Sequence, residues 1–176
     1  MNLNKIAGFT LIELMVTLTV IGISLVFAAP NLVGFIQNYR ITTQTNNLLA
    51  DLQLARNNSV AQGVPVSVCA STDGATCSGS DWSGGRIVFT DANGNGTVDA
   101  ATDAVLRVAE ALNTGNTIIA TNLTAAGRVQ FRPSGLASGV TGGSASFKLC
   151  DSRTGPYGRT ISVAPTGRAA AAGATC

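Results

Sequence analysis

The sequence predicts an α+β fold: a long N-terminal α-helix, apolar throughout its first half and amphipathic in its second, packed on a β-rich globular head. Three observations carry this expectation. Residues 9–29 are apolar or small with a single charge, Glu13. Residues 31–62 then place apolar side chains at helical spacing. Beyond Gly63 the period changes to two, and short apolar runs alternate with Gly, Asn, Asp, Ser and Pro. A chain of 176 residues has room for one domain with an appended segment.

Composition removes several function classes. Apolar residues make up 45% and charged residues 11%, against roughly 25% charged in an average soluble domain. That excludes a disordered chain and a solvated helical bundle. The 20 Gly and 5 Pro show no Gly-X-Y period, so collagen is excluded too. There is no His, which removes Ser-His-Asp and Cys-His catalysis, histidine bases and histidine metal ligands together. No catalytic residues, metal or cofactor are expected, and the chain is not expected to be an enzyme. Asp99 and Asp103 form a carboxylate pair, but no residue type that would activate them stands nearby. The formal net charge of +2 is too small to imply a nucleic-acid partner by itself.

As a helix, residues 9–29 would span about 30 Å, the hydrocarbon thickness of a bilayer. A secretory signal peptide should have a shorter apolar core and a small-x-small cleavage site, and Ala28-Ala29-Pro30 is a poor one because Pro follows directly. A carboxylate at a membrane centre costs about 2.5–3.5 kcal/mol, so Glu13 implies a function or a partner. Lys5 precedes the run, which places the N-terminus in the cytoplasm. Everything after Pro30 then faces the periplasm, an oxidising space.

The junction Gly8-Phe9-Thr10-Leu11-Ile12-Glu13, its apolar run and Pro30 resemble the class III signal of type IV pilins and type II secretion pseudopilins. The resemblance implies a leader at 1–8, cut after Gly8 by a prepilin peptidase that also methylates the new amino group of Phe9. It implies a transmembrane and assembly helix at 9–30, in the inner membrane first and in a filament afterwards. Glu13 would attract the Phe9 ammonium of a neighbouring subunit, since neither charge is tolerable alone in low dielectric. Pro30 removes one internal hydrogen bond and should kink the helix.

From 31 to 62 the helix is amphipathic. Ile41, Thr45, Leu48, Leu52, Ala55 and Ser59 fall on one stripe, with Asn38, Arg40, Gln44, Asn46 and Asp51 mostly off it. Gly63 ends the helix and Pro65 prevents its return. A helix from 10 to 62 would be about 80 Å long, more than a soluble domain of this size can bury. The head, 63–176, carries about seven short strands. They centre on Val64-Val66-Val68, Ile87–Phe89, Val105–Val108, Thr117–Ile119, Val129–Phe131, Ser146–Leu149 and Thr160–Val163. Residues 169–173 read as a low-complexity tail.

Within the pilin class, Leu54-Ala55-Arg56-Asn57, the Trp82…Gly85-Arg86-Ile87-Val88-Phe89 strand, the Asp91–Asp103 loop and Gly167-Arg168 resemble the GspH/FimT/FimU subgroup. That implies a minor pilin which primes or caps assembly of a type IV pilus, with other pilins as partners. A GspH-like pseudopilin of type II secretion is the alternative, and neighbouring genes would separate the two.

Four Cys allow three pairings, and spacing alone does not choose among them. Cys69 and Cys77 enclose a turn-forming loop, Ser71-Thr72-Asp73-Gly74, which leaves Cys150 and Cys176 as the other pair. Without a C-x-x-C or a His, structural disulfides are expected rather than redox or metal chemistry. A disulfide loop at the C-terminus resembles that of type IV pilins. Asp91-Ala92-Asn93-Gly94-Asn95-Gly96-Thr97-Val98-Asp99 has oxygen side chains at EF-hand positions 1, 3, 5 and 9, as Ca²⁺ would require. Position 12 is Thr102, however, Asp103 comes one residue late, and no helix flanks the loop. A hairpin loop built on turn residues accounts for the same pattern.

Charge is uneven along the head. Residues 31–127 carry Arg40, Arg56, Arg86 and Arg107 against Asp51, Asp73, Asp81, Asp91, Asp99, Asp103 and Glu110. From Arg128 onward, Arg132, Lys148, Arg153, Arg159 and Arg168 join it against Asp151 alone. Such a basic end could grip phosphates, and Gly155-Pro156-Tyr157-Gly158-Arg159 adds an aromatic. It resembles the FimT-like proteins that bind DNA in natural transformation through a late Gly-Arg-x-Arg motif. Lys148, Arg153, Arg159 and Arg168 are the candidate contacts. Here the motif stops halfway, at Gly167-Arg168-Ala169-Ala170, and solubilising surface arginines are the competing reading.

Overall fold

A computed structural model describes residues 8–112, 115–124 and 127–176, with the side chains of 27–31 left aside. Lys5 lies outside these residues, as does the side chain of Pro30, and with it the expected kink. One helix, α1 (Leu11–Gln62), is followed among the described residues by nine strands and a short 3₁₀ turn. Two compact units result, Met1–Asn38 and Tyr39–Cys176.

The first unit is helix with apolar side chains turned outward. Leu11, Ile12, Leu14, Met15, Val16, Leu18, Val20, Ile21, Ile23, Leu25 and Val26 are all exposed. Thr10 caps the helix, its Oγ1 accepting from the Glu13 amide at 3.3 Å, and Glu13 three residues on completes the Thr-x-x-Glu pattern of a capping box. The hydroxyls of Thr17, Thr19 and Ser24 donate back to carbonyls three or four residues earlier. Among the described residues no helix is long and apolar enough to cross a membrane.

The second unit begins inside α1. All six stripe residues, Ile41, Thr45, Leu48, Leu52, Ala55 and Ser59, are buried. Gly63 adopts φ +70° and its amide donates to the Ser59 carbonyl at 3.1 Å, closing the helix.

The strands are β1 (Val66–Ala70), β2 (Arg86–Thr90), β3 (Val105–Ala109), β4 (Thr117–Thr121), β5 (Arg128–Phe131), β6 (Ala137–Ser138), β7 (Ala145–Cys150), β8 (Gly158–Val163) and β9 (Ala169–Ala174). They form two antiparallel sheets, one ordered β3-β2-β1-β5-β6 and the other β4-β7-β8-β9. Both sheets and α1 share one core, in which Leu48, Leu52 and Ala55 meet Val66, Val68, Phe131, Phe147, Leu149 and Ile161. Trp82, in the 3₁₀ turn before β2, meets Phe147 edge-on at 4.6 Å. The first sheet is covered on its other face too: Cys69, Ile87 and Phe89 pack under Cys77 and Val98. Hence β1 and β2 are buried at every position.

Three sequence expectations are corrected. The seven strands become nine with β6 and β9. Residues 169–174, read as a low-complexity tail, form a six-residue strand in register with β8, from Val163↔Ala169 to Gly158↔Ala174; cross-strand bonding overrides the weak β-propensity of Ala. Asp51, placed off the buried stripe, is itself buried. Its Oδ2 accepts from Arg86 Nε at 2.6 Å, and both side chains are inaccessible. Arg107 Nε lies 2.8 Å from Asp51 Oδ1, without the alignment of a hydrogen bond. This pair ties α1 to the first sheet.

Removing the carboxylate with Asp51→Asn leaves Arg86 buried and unpaired. It should destabilise the head by about 3–5 kcal/mol in chemical denaturation. Arg107→Ala, at a half-exposed partner, should cost about 1 kcal/mol or less. Equal effects would show that the half-exposed Arg107, and not the buried Arg86, carries the pair.

Candidate functional site

Two regions hold the residues singled out in the sequence. The first is the start of α1. Gly8, Phe9 and Thr10 precede the helix in non-helical backbone, Phe9 is 83% exposed, and nothing crowds the Cα of Gly8. The Gly8–Phe9 bond therefore lies in exposed, non-helical chain just before the capped helix. Glu13 sits in the first turn of α1 and is exposed. Among the described residues of this unit, its carboxylate is the one charge on an otherwise apolar helix whose hydroxyls bond to their own backbone.

The second region is the end of the head formed by β7, β8 and β9. Cys150 and Cys176 are bonded to each other, as are Cys69 and Cys77, and no free cysteine is present among the described residues. This chooses one of the three pairings open to the sequence. The bond Cys150–Cys176 joins the end of β7 to the second residue beyond β9. The amide of Cys176 also donates to Gly155 O at 2.9 Å, holding the 151–157 loop beneath it.

The four candidate cations do not make one surface. Arg153 is closed by its neighbours: its NH2 lies 2.6 Å from Asp151 Oδ2, and its guanidinium stacks over Tyr157 at 4.2 Å. The hydrogen bond from Arg153 holds the Asp151 carboxyl below its usual range, against the opposing effect of burial. The same bond pushes the Arg153 pKa up. Lys148 and Arg159 lie on opposite faces of the second sheet. Lys148 is opposite Ile119 and Thr160, whereas Arg159 is opposite the buried Leu149 and lines a groove with Thr42, Thr45 and Asn46 of α1. Arg168 lies at the other end of β8, in the turn before β9.

Two segments far apart in sequence meet at that end. Leu52, Gln53, Arg56 and Asn57 of α1 and Gly167, Arg168 and Ala169 line one open groove of about 270 Å³. Arg56 Nε donates to Gly135 O at 3.1 Å, and its NH2 lies 3.5 Å from Thr166 O. The guanidinium thus clamps two turns against the helix. Gly167, at φ +77°, lies against the Gly135 carbonyl so closely that a Cβ would collide with it. The motifs at Leu54–Asn57 and Gly167-Arg168 are accordingly the two halves of one clamp, which periodicity and composition gave no means to see.

The Asp91–Asp103 loop spends its oxygens internally. Asp91 is buried and accepts from Ser67 Oγ and Gln130 Nε2, both at 2.7 Å, and from the Gly96 amide at 3.2 Å. Asp103 accepts from the amides of Ala92 and Asp99, each at 3.0 Å. Asp99 accepts from Asn93 and Asn95 at 2.8 Å. Among the described residues no cluster suited to a metal ion is found. Val98 on this loop packs on the outer face of the first sheet, so the loop acts as a lid for Ile87 and Phe89. In the Cys69–Cys77 loop, Asp73 accepts from Thr76 Oγ1, the amides of Thr76 and Ala75, and Ser71 Oγ. These bonds hold its carboxyl far below the usual carboxylate range.

A family model described as "Type II transport protein GspH" matches residues 44–167. A second, "Prokaryotic N-terminal methylation motif", matches residues 3–29. No curated protein matches the chain. Among solved structures it is similar to the type IV minor pilin FimU of Pseudomonas aeruginosa in one crystal form, at TM-score 0.58 and 23% identity over 77% of this chain and 90% of that one. In a second crystal form the same protein gives TM-score 0.53 and 23% identity over 74% and 91%. The minor pseudopilin EpsH of the Vibrio cholerae type 2 secretion system gives 0.49 and 11% over 76% and 96%. At 23% identity the two FimU structures show the fold alone.

Two outcomes follow. Gly167→Ala combines positive φ with a clash against Gly135 O and should destabilise the head by about 1–3 kcal/mol, whereas the open Gly143→Ala should retain more stability in the same melt. A depressed folded pKa stabilises above the ordinary carboxylate value and is lost only as pH falls through the folded one. Asp73 should therefore show no titration step near pH 4 by NMR, and the Cys69–Cys77 loop should keep its amide shifts down to about pH 2.

Proposed function

Because the chain belongs to the GspH family and carries the prokaryotic N-terminal methylation motif, we propose that it is a minor pilin of a type IV pilus. In this reading it is processed after Gly8 by a prepilin peptidase, methylated on Phe9, and held in the inner membrane with its head in the periplasm. It then joins the filament to prime or cap assembly beside other pilins. Family membership makes it a minor pilin or pseudopilin of one of the two systems, type IV pilus or type II secretion. The pilus is our choice between them, and no catalytic role is assigned.

One observation carries the proposal: a capped helix with apolar side chains exposed on every side, from Leu11 to Val26, and one carboxylate near its start. A helix that is apolar all round must be buried in a membrane or in protein. The back-bonded hydroxyls of Thr17, Thr19 and Ser24 remove the polar cost of either setting. Glu13 is then the group that needs a partner, and the freed Phe9 ammonium of the next subunit supplies an opposite charge. The Cys150–Cys176 bond, which closes the end of the head as a type IV pilin's C-terminal loop does, favours the pilus over the secretion system.

Glu13→Ala should leave cleavage after Gly8 intact, read by the mass of the mature chain, and reduce recovery in sheared filaments at least tenfold. Normal incorporation of that variant would remove the charge pair from the account. Secretion defects without a pilus defect in a deletion strain would move the chain to the other system.

A further inference from the structure

The two sheets have four edges, and three of them are protected. In the first sheet, β6 has only two residues, and the Ala137 amide donates to Pro165 O at 2.9 Å. The other edge, β3, carries the charged Arg107 and pairs with β2 through a bulge. In the second sheet, β4 is closed by the 3₁₀ turn, where Ser83 Oγ accepts from the Ile118 amide at 2.9 Å. The fourth edge, β9, shows none of these devices. It runs six residues, Ala-Ala-Ala-Ala-Gly-Ala, without a charge, a proline or a bulge. Among the described residues it pairs only with β8, and Ala171, Ala172 and Gly173 are exposed. A long unguarded edge is a template for another chain.

The ends of this edge are cationic. Arg168 immediately precedes β9. At the other end, Arg159 is in register with Gly173, and its guanidinium comes within 3.8 Å of where a Gly173 Cβ would stand. Arg159 thus lies over Gly173, beside that end of the edge. Between the two arginines the grooves beside β9 are lined by the neutral Thr42, Asn46, Gln53 and Asn57 of α1. Two copies pairing β9 to β9 about a two-fold axis would set Arg168 of one against Arg159 of the other, a like-charge contact that disfavours self-pairing.

We propose that β9 is a docking edge which accepts an extended, acid-flanked segment of a different subunit as a fifth strand of the second sheet. Main-chain hydrogen bonds supply the contact and the two arginines supply the choice of partner. Gly173 lies five positions after Arg168, about 17 Å in an extended strand, so the incoming carboxylates stand at a similar separation. The partner's identity as a filament subunit rests on the function proposed above; the open edge and its charges do not.

The test uses the full chain, oxidised, in detergent micelles. The probe is a labelled peptide of alternating Thr and Val with one carboxylate at each end of a six-residue core, beside the same peptide with lysines at those ends. The acid-ended peptide should bind at least about tenfold more tightly. Amide exchange should slow within Ala169–Ala174, and an R159E/R168E variant of unchanged melting temperature should reverse the preference. Equal affinity for the two peptides, protection elsewhere in the head, or no binding by the wild-type chain would overturn the proposal. So would a short DNA duplex that takes the same two arginines and displaces the peptide. Each of those results leaves the Glu13 experiment, and the filament reading with it, unaffected.

Discussion

The structure depends on one seam, the line along which α1 meets both sheets. A single face of the helix, from Ile41 to Ser59, is buried against strands from either side. Burial of this kind is worth about 25 cal/mol per Å² of apolar surface, and it gives the second half of α1 a fixed rotation. The polar links along the seam then set its register. Asp51 holds Arg86 on β2, Ser59 Oγ donates to Phe131 O at 2.9 Å, and Arg56 reaches Gly135 O. The helix is thereby pinned to β2, to the end of β5 and to the turn after it.

The two disulfides and the acidic loop serve the parts this seam does not reach. Cys69–Cys77 and the Asp91–Asp103 loop cover the far face of the first sheet, where Ile87 and Phe89 would otherwise meet water. In the chain-entropy account a closed loop of this order stabilises by roughly 3 kcal/mol, which suits a chain with only 5% aromatic residues. Asp91 is the keystone of the loop, since one buried carboxylate gathers a side chain from β1, another from β5 and an amide of the loop itself.

The helix and its stripe were legible because their signal is periodic: all six residues predicted to lie on the stripe are buried. Seven strands were legible for the same reason. β9 was not, because four alanines in a row carry no period and little β-propensity. Its order comes from β8 and the terminal disulfide, both remote in sequence. Asp51 was misplaced because helical spacing reports which face a residue occupies, whereas its burial depends on two arginines from β2 and β3. At the site, Gly8, Phe9 and Glu13 were readable as a motif, and a family model of that motif matches residues 3–29. The four cations proposed for DNA were a tally of charge along the chain. Strand alternation put Lys148 and Arg159 on opposite faces, and Asp151 had already claimed Arg153.

The bond between Cys150 and Cys176 also has a mechanical meaning. It joins the end of β7 to the second residue after β9, so that β8 and β9 lie inside one covalent loop of sequence separation 26. Tension applied at the outer edge of the sheet passes through sulfur to β7, an interior strand, and need not be carried by the hydrogen bonds between β8 and β9. An unclasped terminal strand would unzip one bond at a time under such a pull; this one yields only if the sheet shears as a block. Strand β9 thus keeps its place in the sheet under load.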